Sequence, residues 1–204
     1  MKKQVKFIAI GLLFFWVITF FIQRERIILN KNDNIGIKQY DLILTSGQSV
    51  QSKFLNLFSF SNQNYSHVGL LLKENNEIYV LHSTPDGTEE NGIRYDKFQQ
   101  FIDLSNVNYY RILRSVSIAE NLLEKSVDFF KNKKTPFDYQ FDNLDKNKIY
   151  CSELIFDIFK ENGLIKTKID LSKPIHPKIF SNMVEFKLVM ERKSSKNKPK
   201  INSR

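Results

Sequence analysis

The chain has 204 residues, which suits one compact domain with appendages rather than two full domains. Apolar residues make up 42% and charged residues 26%, which excludes a wholly disordered or collagen-like chain, and a single cysteine excludes an internal disulfide framework or a cysteine-rich zinc site. The net charge of +9 belongs to the two ends: residues 1–31 carry six Lys/Arg against Glu25, residues 191–204 carry six against Glu191, and the middle sums to −1, so nucleic acid is not expected as a partner.

Lys2, Lys3 and Lys6 precede an uncharged run over residues 7–22, followed by Arg24, Glu25 and Arg26. Sixteen residues give roughly 24 Å of helix, close to a ~30 Å hydrocarbon core once snorkelling ends are allowed. A cleaved signal peptide would begin the same way, but this run ends Thr-Phe-Phe-Ile-Gln-Arg, without the small-residue pattern of a cleavage site. Residues 1–30 are therefore expected to be a membrane anchor and the start of a tether, with the domain on the extracytoplasmic side, or secreted if the segment is removed. A tether over 31–39, a domain over 40–190 and a basic disordered tail over 191–204 complete the expected organisation.

Within the domain, residues 40–44 read as a short buried strand and 50–60 as a helix. Residues 67–72 and 77–83 read as a hairpin around a polar turn at 74–76, with a further turn at 84–87. A helix is expected over 95–102, a strand over 109–114, and a second helix after the capping box Ser117-Ile118-Ala119-Glu120. Residues 136–139 read as a loop leading to Tyr150-Cys151-Ser152-Glu153, which opens an amphipathic helix stopped by Gly163. A last strand covers 185–190. The pattern is α+β, with a mainly antiparallel sheet and segregated helices.

Three residues carry the chemistry. Cys151 opens a helix, where backbone N–H groups and the helix dipole favour a thiolate. His67 starts one strand and His82 ends the next, fifteen residues later, so a hairpin with pairs summing to 149 sets them side by side. Thiol nucleophile, imidazole base and a polar group that orients the imidazole make a cysteine-protease type of triad. Two histidines and a thiol are also a conceivable zinc set, but a helix-start thiol accounts for the same residues without metal, and neither metal nor cofactor is expected.

The order Asp41-Leu42-Ile43-Leu44, Tyr65-Ser66-His67-Val68-Gly69, the strand over 79–83, Pro136-Phe137-Asp138-Tyr139 and Tyr150-Cys151-Ser152-Glu153-Leu154 resembles the YaeF/YiiX-like permuted papain-fold amidases, relatives of the NlpC-type cell-wall peptidases. The resemblance implies a circularly permuted papain-like fold with Cys151 as nucleophile, His67 as base and position 82 as the third polar residue. Many members carry Glu there, so His82 is similar to the pattern of lecithin:retinol acyltransferase-like proteins; Tyr40 stands where glycine commonly precedes the aspartate. The implied mechanism is acyl transfer through a thioester on Cys151. Backbone N–H groups of Cys151 and Ser152, with Tyr150 or Tyr65 nearby, are candidates for stabilising the oxyanion, and Asp138 is a candidate for binding a substrate amine or capping its own turn. The expected function is a thiol amidase or peptidase acting on cell-envelope peptide or lipid amides. A lipid acyltransferase or lipase is the alternative enzyme, and a non-catalytic tethered binding module the alternative of another class.

Overall fold

A computed structural model describes residues 36–47, 65–85, 91–104, 107–117 and 120–193, all within one compact unit, Ile27–Lys193. The expected anchor, the 50–60 helix and most of the basic tail lie outside the described residues, as do parts of the 84–87 turn and of the capping box. Among the described residues no helix is long and apolar enough to cross a membrane.

Among the described residues six strands form one antiparallel sheet: β1 Leu42–Gly47, β2 His67–Glu74, β3 Glu77–Thr84, β4 Gly92–Lys97, β5 Val107–Ser115 and β6 Phe186–Lys193, in the order β4-β3-β2-β1-β5-β6. Helix α1 (Phe98–Leu104) follows β4, α2 (Glu120–Asn132) follows β5, α3 is Cys151–Glu161, and α4 is the single turn Ile179–Asn182. Successive side chains of a strand point to opposite faces, and the core divides accordingly. Ile43, Leu71, Val80 and Ile112 pack with Phe98, Phe101 and Ile102 of α1. Leu42, Leu44, Val68, Leu70, Leu81 and Leu113 pack with Leu154, Ile155 and Ile158 of α3 and with Leu123, Val127 and Phe130 of α2.

The structure revises four expectations. First, the hairpin pairs Leu70 with Leu81 and Glu74 with Glu77, so its pairs sum to 151 rather than 149. Asn75 and Asn76 both take left-handed backbone, at φ 51° and 65°, which makes a two-residue turn and leaves Glu74 in the strand. Second, residues 95–97 belong to β4, not to a helix. Tyr79 to Thr84 pair continuously with Lys97 to Gly92, and this ladder overrides the helical spacing of the apolar residues.

Third, the first strand begins at Leu42 because Tyr40 has φ 65°, in the left-handed region that a glycine enters without strain. The tyrosine is kept there by burial of its ring, at 5% exposure, and its N–H donates to Leu71 O at 2.8 Å. Fourth, the last strand runs on to Lys193, into what composition marks as tail. Glu191 is held there by Tyr109 Oη at 2.9 Å and Arg111 Nε at 3.0 Å across the β5–β6 pair.

Other signals hold. Gly163, at φ 69°, ends α3 with Leu164 N–H donating to Phe159 O at 2.9 Å and Gly163 N–H to Lys160 O at 3.0 Å, which is the paired bonding of a Schellman stop. The start of β1 is pinned by the buried Asp41 carboxylate. It accepts Arg114 Nε at 2.8 Å, Arg114 Nη2 at 2.7 Å and the Lys38 N–H at 2.8 Å, while Arg114 also reaches Gly36 O at 2.7 Å. Removing the cation would strand a carboxylate with no exposure. Arg114→Met is therefore expected to destabilise the domain by about 3 kcal/mol, read as a lower urea midpoint at unchanged slope.

Candidate active site

The site lies where β2 and β3 part. Their pairing ends at Leu70–Leu81, and the stretch beyond it receives the start of α3: Ser83 Oγ donates to Ile149 O at 2.6 Å, two residues before Cys151. Tyr150 enters the helix in extended conformation with no side-chain cap, so the first-turn N–H groups are left to other partners. Cys151 is free and buried, with its Sγ 3.7 Å from Ser152 Oγ. Burial pushes the thiol up, while Ser152 and the backbone N–H groups of Val68, Ser152 and Cys151 itself pull it down; burial wins. The expectation of a thiol shifted towards thiolate is thus reversed in the resting protein.

His67 and His82 come together as expected, although diagonally rather than directly opposed. His67 Nε2 and His82 Nδ1 are 2.9 Å apart, with the rings edge to face. Both rings also lie against Phe101 of α1, at centroid distances of 5.5 and 4.9 Å. They therefore stand on the α1 face of the sheet, whereas Cys151 approaches from the α3 face and meets the amide of Val68, the residue after His67. Among the described residues no hydrogen bond joins the sulfur to either imidazole. Burial, and secondarily the neighbouring His82, hold His67 well below the usual histidine range. At neutral pH both the resting thiol and the His67 imidazole are therefore neutral.

The sequence reading missed two members of this site. His82 Nε2 lies 3.0 Å from Asp96 Oδ2 on β4, and Asp96 is clamped by Arg94, whose Nε reaches Oδ2 at 3.0 Å and whose Nη2 reaches Oδ1 at 3.1 Å. Burial raises the Asp96 carboxyl, but His82 and Arg94 outweigh it and keep the group ionised. The signal was the alternation Ile93-Arg94-Tyr95-Asp96, which puts Arg94 and Asp96 on one strand face. The second missed member is Gly69. It lies opposite His82, and a Cβ there would stand 2.4 Å from Val80 Cγ1 and 3.4 Å from His82 Cβ. Gly69→Ala is expected to push β3 away, costing about 1–3 kcal/mol of stability and at least tenfold in kcat, a split that unfolding and steady-state kinetics measure together.

Of the other named residues, Tyr150 and Tyr65 are engaged elsewhere, and Asp138 takes the capping role. The Tyr150 hydroxyl donates to Asn143 Oδ1 and accepts the Ile175 N–H at 2.7 Å, so it ties two loops together rather than facing a substrate oxygen. Asp138 caps its own loop, accepting the N–H groups of Gln140, at 2.8 Å, and Asp142. Tyr65 turns towards β5, stacking on Tyr109 with centroids 6.1 Å apart beneath the Arg111 guanidinium. Ser152 is buried beside the sulfur. The Val68 amide joins those of Cys151 and Ser152 as a donor around that atom. Glu153 pairs with Lys146 at 2.8 Å, and its burial pushes the carboxyl up to about 7.

No group of three or more His, Cys, Asp and Glu among the described residues is arranged to hold a metal ion. His67 and His82 point their nitrogens at one another, and His82 spends its second nitrogen on Asp96.

The fold is similar to that of a solved structure whose title reads metalloprotein yiiX from Escherichia coli O157:H7, with a TM-score of 0.60 and 19% identity over 76% of this chain and 97% of that one. No curated protein sequence matches. A family model described as permuted papain-like amidase enzyme, YaeF/YiiX, C92 family, matches residues 37–197. That span takes in β1 through β6 and every residue of the site, and the chain belongs to the YaeF/YiiX family of permuted papain-like amidases.

Proposed function

We propose that the chain is a cysteine-dependent amidase in which Cys151 attacks a substrate carbonyl, His67 takes the thiol proton, and His82 orients His67. The hydrogen bond between His67 Nε2 and His82 Nδ1, one residue from the Val68 amide that meets the sulfur, carries this reading. With that nitrogen engaged, Nδ1 is the position on His67 left to act as base. The resting thiol and imidazole are both neutral, so proton transfer accompanies attack instead of preceding it. No hydrogen bond joins them in the resting protein, so the mechanism requires substrate binding to bring them within reach. The S–H bond breaks as the S–C bond forms, and the developing oxyanion faces the amides of Cys151, Ser152 and Val68. His67 then returns its proton to the leaving amine, and water hydrolyses the thioester.

The substrates proposed are peptide or lipid amides of the cell envelope, reached from a membrane anchor over residues 7–22. Acyl transfer to an alcohol or amine is the second reading, favoured by His82 at the third position. Incubation with short muropeptides and with N-acyl and diacyl lipids, followed by product analysis, tests both. Release of an amine in wild type and not in Cys151→Ala supports the amidase, acyl transfer to an added acceptor supports the second reading, and equal product from both proteins rejects the two together.

A further inference from the structure

We propose that Asp96, clamped by Arg94, is a positioning residue that sets the proton placement of both histidines, so that His67 presents an unprotonated Nδ1 to the thiol. The inference rests on the cysteine-amidase reading for its catalytic meaning, but not for its geometry. Two hydrogen bonds in series carry it: His67 Nε2 to His82 Nδ1 at 2.9 Å, and His82 Nε2 to Asp96 Oδ2 at 3.0 Å. An ionised carboxylate only accepts, so the proton between His82 and Asp96 sits on His82 Nε2. We take the buried His82 as neutral at pH 7.5: with its one N–H on Nε2, His82 Nδ1 is an acceptor and the proton between the rings belongs to His67 Nε2. His67 in turn has its lone pair on Nδ1. One carboxylate thereby dictates the tautomers of two rings.

Arg94 makes the direction definite. Its Nε and Nη2 occupy both oxygens of Asp96 while the carboxylate is almost wholly buried, which keeps it charged and keeps its orientation towards His82. Phe101 packs against both rings and bars rotation. During attack the proton leaves sulfur for His67 Nδ1. The imidazolium so formed donates from Nε2 to His82, with the Asp96 charge one ring further on. Nothing besides the thiol proton is exchanged.

The test is histidine ¹⁵N NMR on the full chain in detergent at pH 7.5, with His67→Gln and His82→Gln spectra for assignment. Both rings are expected as Nε2–H tautomers with unprotonated Nδ1 in wild type and equally in Cys151→Ala. A His82 ring that is doubly protonated, or protonated at Nδ1, would overturn the proposal whatever the activity. Asp96→Asn has one acceptor oxygen for both Arg94 and His82, so it is expected to give mixed tautomers and to lower kcat about 100-fold with little change in KM. The loss is smaller than the ~10⁴-fold of a carboxylate held directly on the base, because one ring intervenes. An Asp96→Asn protein that folds and keeps wild-type kcat would also overturn it, and if that variant does not fold the wild-type spectrum decides. Should Cys151→Ala retain activity while the tautomers are as stated, the amidase reading fails and the assignment of Asp96 stands.

Discussion

Replacing Cys151 by alanine is expected to lower acyl release by about 10⁵–10⁶-fold while leaving the domain folded. The chain contains one thiol, and the Ser152 hydroxyl 3.7 Å from it is a far weaker nucleophile. The side chain lost is small, and its site is the first turn of α3, held by Ser83, Tyr150 and the Schellman stop at Gly163. Stability should therefore change by no more than about 1–2 kcal/mol. Steady-state hydrolysis of an amide substrate, with unfolding monitored in parallel, separates the two effects. A serine at the same position should be almost as poor, since its hydroxyl is a far weaker nucleophile at this pH and burial raises it further.

Loss of the proposed base is the second large effect expected. His67→Gln is expected to reduce kcat/KM about 10⁴-fold, at the upper end for a single general base, because it also frees His82 from its partner. The pH profile gives the sign. His67 is held well below the ordinary histidine range, so its basic form persists at pH values where a free imidazole is already protonated. The acidic limb of the wild-type profile should therefore lie below pH ~6.5. Burial pushes the Cys151 thiol up, so the neutral thiol persists above its usual range and the plateau is widened on that side as well. In His67→Gln the acidic limb should disappear and the rate should rise with hydroxide. A wild-type limb at or above pH 7 would contradict this electrostatic account.

The residues that carry the fold were readable where local chemistry decides. Gly163 marks a left-handed stop, Cys151 a helix start, and the apolar runs of β2 and β3 a buried hairpin. Reading failed where a partner strand decides. Tyr95 and Asp96 have helix-compatible spacing on their own, and only the ladder to β3 shows that they alternate. The turn at Asn75-Asn76 was one residue shorter than composition suggests, because two asparagines accept left-handed backbone. The pair sum of 151 in place of 149 changed the histidine pair from facing to diagonal and set Gly69 against His82. The departure at Tyr40 has a backbone cause as well, since glycine suits φ 65° and tyrosine stays there through burial. Of the candidate site, the closeness of the two histidines was legible in their spacing. The turn cap of Asp138 was one of its two expected roles, whereas the role of Tyr150 was not legible, because the loops that engage it, around Asn143 and Ile175, have no periodicity to read.

The account depends on an acyl group passing through the sulfur, and intact-protein mass spectrometry during turnover of a p-nitrophenyl ester tests that most directly. One acyl adduct is predicted on the peptide containing Cys151, formed with a burst of p-nitrophenolate and removed by neutral hydroxylamine. It should be much slower to form in His67→Gln and absent from Cys151→Ala. Turnover that continues with the Cys151 peptide unmodified, or at the same rate in Cys151→Ala, would contradict the account.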